Sequence, residues 1–569
     1  MTNGMRLKTL ALILAASLFV GACAQNRTTP NGAPGATGST AAPKRIAAAV
    51  LIDIQTLAPG GHGSVPGFDN VDGLVNVGLY AVDTRGVKIP RMAEQLPTVE
   101  NGLWKVFPDG RMETTWKLRS DVLWQDGTPF TADDMVFTAA LERDPRLPIG
   151  REIAYKSVDR VEAPDARTLT VFWKAPYIDA DTLFGAPRPK HLLAQPLATL
   201  DADRFLALPY WMQDFVGTGP YRIETWNAGS QLVLHAYDRF FLGRPKIDLI
   251  ELKQILDPSI VSANLLAGAV DMTLGRTLSF EQANGIRSQW AGRIDYANPP
   301  VLRVTPQLID LYTNPPVVGN VQFRRALSHT LDRKAMVDAL FAPGMPLAAE
   351  SLLGPNDPPE YRALENRVVH YPYDLRKASQ LVEEIGYTKG GDGFFRDAAD
   401  KKLSVELRTN TSDVNQKATF SVADFWQRAG VAVEVNVVPG QLAQAKEYRA
   451  TYPGFEILRA GDIYGVTDFH SSRKKTKEND WTGSYTGYSN PAYDALADRY
   501  ITTIPVPQRA QIVGDMVNIL TDQVVIMTLF WDVEPSFIPA NMKNVTGRFG
   551  SGAPGVASTV WNAHEWDLP

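Results

Sequence analysis

A single cysteine, Cys23, stands in 569 residues, which excludes disulfide crosslinks, a cysteine metal site and a thiolate nucleophile throughout the rest of the chain. Histidine is also scarce. The seven that occur are scattered singly, so spacing offers no zinc site. Neither G-x-S-x-G nor H-E-x-x-H is present, which leaves only a triad assembled from distant residues as a route to hydrolysis. Basic residues do not outnumber acidic ones: 57 Lys and Arg against 62 Asp and Glu give a net charge of -5, and nucleic acid, which wants a basic face, is not the expected partner. The densest basic run, residues 473–477, is followed by Glu478 and Asp480 and reads as a solvated loop. Only one long apolar run occurs, residues 10–20. It is too short for a hydrocarbon core of about 30 Å.

What the chain does have begins at that run. Arg6 and Lys8 precede it, and Gly21, Ala22 and Cys23 follow, the order of a signal peptide ending in small residues. Val20-Gly21-Ala22-Cys23 resembles the bacterial lipoprotein box, in which the cysteine is acylated and becomes the mature N-terminus. Residues 1–22 are then the leader and Cys23 the lipid carrier, with several acyl chains anchoring durably where a single chain binds marginally. Residues 24–45 are rich in Gly, Pro, Ala, Ser and Thr and read, with Cys23, as a flexible tether.

From residue 46 the pattern mixes short β-branched runs with amphipathic helical stretches, an α/β chain. Residues 112–119 alternate, with Met112, Thr114, Trp116 and Leu118 on one face, and predict a half-buried strand. Thr131 with Asp134 predicts a capped helix to about Leu141. Asp374 and Gly386 bracket a second helix whose stripe is Leu375, Ala378, Leu381, Val382 and Ile385. A third is expected over residues 508–520. The late apolar stretch 524–531 lies far from the early strands, which predicts that the C-terminal segment returns to pair with an early domain. No solenoid or propeller period is present.

The string from Thr114 to Phe137, TTWKLRSDVLWQDGTPFTADDMVF, preceded by Asp109-Gly110, resembles the signature of the peptide- and nickel-binding proteins of ABC importers. GTGPYRI from Gly217, GAVDM from Gly268, VQFRRALSHTLDR from Val321, YDLRKASQLVEEIGY from Tyr373 and YSNPAYDAL from Tyr488 follow in that family's order. The resemblance covers nearly all of the body. It implies an α/β, two-lobed, type II clamp of the periplasmic-binding-protein kind, with an extra domain inserted in the first lobe. The expected division is 46–77, 206–298 and 524–569 for the first lobe, 78–205 for the inserted domain and 299–523 for the second lobe. It further implies no enzymatic step and no cofactor. The expected partners are a peptide or small-molecule ligand, ABC permease subunits and, through the anchor, a membrane facing the periplasm or cell exterior, with the protein a monomer. Nickel or haem uptake also occurs in the family, and a ligand-presenting sensor or a chaperone-like binder is the alternative within the same fold.

Peptide-binding relatives carry an arginine-alanine-glycine step followed by an aspartate that pairs with the ligand's α-amine. Here Arg459, Ala460 and Gly461 match the step and Asp462 matches the aspartate once three residues are deleted, while Asp468 stays open to the same role. A carboxylate in a closing cleft forms a charge-assisted bond to an ammonium worth about 1.5–3 kcal/mol. Gly461 lets a ligand main chain approach closely. Tyr464 would wall a side-chain pocket. The resemblance also places Ser64, Val65 and Pro66, in the glycine-rich loop 60–68, against the ligand, where the bland alternative is that the glycines serve turn geometry alone.

Overall fold

Thr131 and Asp134 close a reciprocal capping box at the helix Ala132–Glu142, with the Thr131 amide donating to Asp134 Oδ2 at 2.9 Å. Asp374 caps Leu375–Glu384 by accepting from the amides of Arg376 and Lys377, and Gly386 ends that turn at φ 95°. The third expected helix extends further than read, Val506–Asp522, because Pro505 and Val506-Pro507 begin it two residues early. Met112–Lys117 is a strand with Met112, Thr114 and Trp116 inward.

These elements belong to a computed structural model that describes residues 42–569 except 60–66, 84–86, 148–152, 298–300, 346, 355–356, 358, 443–444, 461–462, 480, 482, 484–485 and 547–558. No helix among the described residues is long and apolar enough to cross a membrane.

Among the described residues the three largest sheets carry the three largest hydrophobic cores. The first is five-stranded in the order Met272–Thr273, Arg45–Val50, Leu249–Gln254, Gln231–Ala236, Tyr221–Asn227. Its core recruits Ile538, Met542, Val560 and Trp566 from the C-terminal end, and Lys44 Nζ meets Asp567 Oδ1 at 2.6 Å. The second sheet, Trp104–Val106, Met112–Lys117, Thr168–Trp173 and Val158–Asp165, is wholly antiparallel and packs residues between Leu79 and Phe184, the inserted domain of the first lobe. The third, in the order Ala432–Val437, Ser404–Thr409, Phe455–Ala460, Val301–Pro306, Met527–Trp531, is the second lobe.

The strand Met527–Trp531 corrects one expectation. It does not join the early strands. It pairs antiparallel with Val301–Pro306 in the third sheet, and its five residues are all buried, so no alternation marks which sheet it feeds. The return to the first lobe begins with Glu534–Ile538, which pairs with Arg293–Ala297. Ala297 opposes Glu534 in that ribbon and Val301 opposes Trp531 in the third sheet, so the chain passes between the lobes at two places.

Motif residues knit the inserted domain to the first lobe. Gln125 Nε2 donates to the carbonyls of Gly219 at 3.0 Å and Tyr221 at 2.7 Å, and Gln125 Oε1 accepts from the Gly217 amide at 3.1 Å. A Cβ on Gly219 would lie 2.3 Å from the Val75 carbonyl carbon, so the helix end at Val75 requires glycine there. In the second lobe Arg324 is buried and donates to the carbonyls of Val318, Gly319, Gln523 and Val524, tying the helix Val321–His329 to the turn before Met527–Trp531.

Candidate functional site

Strand Phe455–Ala460 brings Arg459 to the lobe crossings. In register, Arg459 and Phe530 both oppose Leu302 from either side, so the arginine reaches past the central strand toward residues 532–534. Its guanidinium forms an ion pair with Asp532 and stands 3.7 Å from Glu534 Oε1. Arg276, from the first lobe, stands 4.0 Å from the same Glu534 oxygen. Asp532 has a side chain only 2% exposed. Burial pushes its carboxyl above the usual carboxylate range, Arg459 pulls it back, and the Val533 amide donating to its Oδ1 at 2.7 Å adds to that pull. Arg459 Nε and Nη1 have no hydrogen-bond partner among the described residues.

Beside this row of charges lies a small recess of about 20 Å³, walled by both lobes. Phe280 of the first lobe meets Phe341 of the second edge to face at 5.4 Å, and Phe341 meets Phe530 likewise at 5.2 Å. Lys417, on the helix Asp413–Ala429, pairs with Glu281 of the first lobe and with Asp413 at 3.1 Å. Among the described residues, the two cations lining the recess, Lys417 and Arg459, each have a carboxylate beside them. Among the described residues no group of three or more His, Cys, Asp or Glu is placed to hold a metal ion.

Of the residues singled out in the sequence, Arg459 is placed at this crossing. Gly461, Asp462, Ser64, Val65, Pro66 and Cys23 lie outside the described residues. Tyr464 has its backbone in the 3-10 helix Ile463–Phe469. Asp468, the alternative carboxylate, is half-buried and pairs with Arg473 at 3.3 Å. Asp532, Glu534, Arg276 and the Phe280–Phe341 contact escaped sequence reading, since they bring together segments that are not neighbours in the chain. One signal was present: Asp532 is an acidic residue at the end of the apolar run 524–531, and an ionisable group in such a run wants a buried partner.

The family model for bacterial extracellular solute-binding proteins, family 5, middle region, matches residues 90–481, more than half of the chain. Oligopeptide-binding protein AppA of Bacillus subtilis is 25% identical over 410 residues, 68% of this chain and 69% of that one. The glutathione-binding protein GsiB of Escherichia coli is 23% identical over 482 residues, 83% of this chain and 85% of that one. The crystal structure of NikZ from Campylobacter jejuni in complex with Ni(L-His) matches with a TM-score of 0.75 at 21% identity, covering 92% of this chain and 99% of that one, and so shares the fold. The chain belongs to family 5 of the bacterial extracellular solute-binding proteins.

Proposed function

We propose that this chain is an extracytoplasmic lipoprotein that captures a peptide between its lobes and delivers it, chemically unchanged, to an ABC importer. The observation that carries the reading is the position of Arg459: the strand matching the arginine-alanine-glycine step ends at the lobe crossings, on the wall of a recess to which both lobes contribute. The chain runs from there directly into Gly461 and Asp462, which we assign to the ligand's main chain and α-amine. Ser64, Val65 and Pro66 are assigned to the facing wall and Tyr464 to a side-chain pocket. The oligopeptide-binding and glutathione-binding names of relatives support a ligand of peptide kind.

In the same reading the first lobe comprises residues 46–77, 206–298 and the chain from 534, with 78–205 inserted and 299–531 as the second lobe. The shift from 524 follows the pairing of Met527–Trp531. Cys23 carries the lipid, and the tether that follows it ends before Lys44 and Arg45 rather than at residue 45, because Lys44 pairs with Asp567 and Arg45 opens a strand of the first sheet; the monomer faces the periplasm or cell exterior beside its permease. Closure of two lobes over a ligand needs no covalent step.

Titration calorimetry with a pentapeptide pool tests the assignment of Asp462. Asp462→Ala is expected to weaken binding about tenfold or more, from the strength of a charge-assisted bond. Unchanged affinity would remove Asp462 from the site. Labelling with radioactive palmitate, lost in Cys23→Ser, checks the anchor.

A further inference from the structure

The two places where the chain passes between the lobes are not the whole of their contact. Ile178, in the inserted domain, donates its amide to the Ile501 carbonyl of the second lobe at 3.0 Å. Its neighbours Tyr177 and Ala180 pack in the core of their own domain, whereas the Ile178 side chain, 7% exposed, packs in the core of the second lobe. The exchange is reciprocal: half-buried Ile504 of the second lobe lies against both cores. The loop that presents Ile178 is braced from within its own domain. Thr182 donates to the Asp179 carbonyl through its amide at 3.0 Å and through its hydroxyl at 2.7 Å, and Tyr80 Oη donates to the Thr182 carbonyl at 3.0 Å. Lys88 Nζ meets Asp181 Oδ1 at 2.7 Å, and Tyr177 stacks on Trp173 at 5.5 Å. A loop fixed in this way loses little conformational freedom on docking. Here the inserted domain meets the second lobe by non-covalent contact alone. A lobe motion about the chain passages that parts them returns the Ile178 side chain to water, which is worth about a factor of ten or more in an equilibrium.

We propose that Ile178 is the tooth of a clasp between the inserted domain and the second lobe, made when the lobes close over a ligand and broken when they part, so that it sets how slowly the ligand leaves. This rests on the reading of the chain as a two-lobed receptor for peptides and adds what holds the lobes shut. Ile178 is a positioning residue. It acts on ligand residence through the closed form, and contacts formed after encounter slow dissociation more than they speed association.

Stopped-flow tryptophan fluorescence with a pentapeptide pool measures both rates. Ile178→Ser is expected to raise the dissociation rate about tenfold or more while the association rate stays within about threefold of wild type, and Ile178→Val is expected to keep the wild-type residence. An unchanged dissociation rate in Ile178→Ser overturns the proposal. A cysteine pair reports whether the contact opens. In a Cys23→Ser background, Ile178→Cys and Ile501→Cys supply the only two thiols, on backbones that hydrogen-bond to each other and so lie within reach of a disulfide. Oxidised before the pool is added, this variant is expected to exclude peptide that its reduced form takes up. Oxidised afterwards, it is expected to retain peptide until the disulfide is reduced. Equal uptake by the two forms marks a permanent joint and overturns the clasp, as does failure of the pair to oxidise. Deuterium uptake by residues 177–182 needs no ligand: it is expected to be about tenfold faster in the reduced form than in the oxidised one, and equal rates overturn the clasp. If no form binds the pool, wild type included, the peptide reading fails, and the deuterium comparison then decides the clasp alone.

Discussion

Arg408→Met strands a carboxylate inside the second lobe, and the structure sets both the size and the pH dependence of the loss. Arg408 and Glu456 have side chains 2% and 5% exposed and meet at 2.9 Å, with Arg408 Nε donating to the same Glu456 oxygen at 3.0 Å. The guanidinium also donates to the carbonyls of Tyr448 and Arg449 and lies 4.2 Å from the Tyr452 ring centroid. Removing one partner of such a pair costs about 3–5 kcal/mol. Lys475 moves the expectation to the lower end. Its ammonium is pushed down to about 7, first by burial and then by the charge of Arg449, while Arg408 also disfavours its proton and Glu456 favours it. Without Arg408, Lys475 protonates more readily and shields Glu456 in part.

The sign of the pH dependence follows from Glu456. Burial already raises its carboxyl above the usual range, with Arg408 as the largest opposing influence, so the variant raises it further. A carboxyl raised in the folded state is stabilising only when protonated, and that contribution is lost as pH rises from its unfolded value through its folded one. The deficit of Arg408→Met should therefore be about 3 kcal/mol at pH 8 and smaller by about 1 kcal/mol or more at pH 5, measured by urea unfolding of variant and wild type at both values. Adding Glu456→Leu should recover most of the loss, since a well-packed apolar pair replaces a buried ion pair at little cost. A deficit under about 1 kcal/mol at pH 8, or one that grows on acidification, would refute this reasoning.

His564 is buried against Phe240 at 5.3 Å, and burial first, then the Arg91 charge, push its imidazole down to about 4, with Glu565 opposing. The unfolded chain then binds the proton more readily, so stability is lost as pH falls from about 6.5 to about 4, and His564→Gln should remove about 2–3 kcal/mol of that acid dependence in urea titrations run across the window. Gly219→Ala forces a methyl to 2.3 Å from the Val75 carbonyl carbon and threatens the Gly219 amide bond to Val75 O at 3.0 Å. It should destabilise by about 3 kcal/mol or more, whereas Gly102→Ala, with nothing within 4 Å, should lose only the smaller amount set by its φ of 72°.

Local chemistry was the legible part of the fold. Thr131 with Asp134, and Asp374 with Gly386, fix helix ends through partners within a few residues, and Met112–Lys117 shows its buried face by alternation. The motif blocks carried the family because Gln125, Gly217 and Gly219 form one hydrogen-bonded knot that tolerates little change. Strand partners were harder to read. Met527–Trp531 is buried on both faces, and nothing within it distinguishes the first sheet from the third. Of the residues singled out for the site, Arg459 is the one the described structure places beside the recess. Its electrostatics depend on Asp532, Glu534 and Arg276, whose approach is a property of the two lobe crossings and leaves little trace along the chain beyond an aspartate closing an apolar run.

Native mass spectrometry of the full chain, purified from membranes and incubated with the pentapeptide pool, tests the central claim most directly. The account expects one non-covalent adduct of peptide mass per chain, released intact when the protein is denatured. Recovery of cleaved peptides, or a chain that takes up none of the pool at saturating concentration, would contradict it.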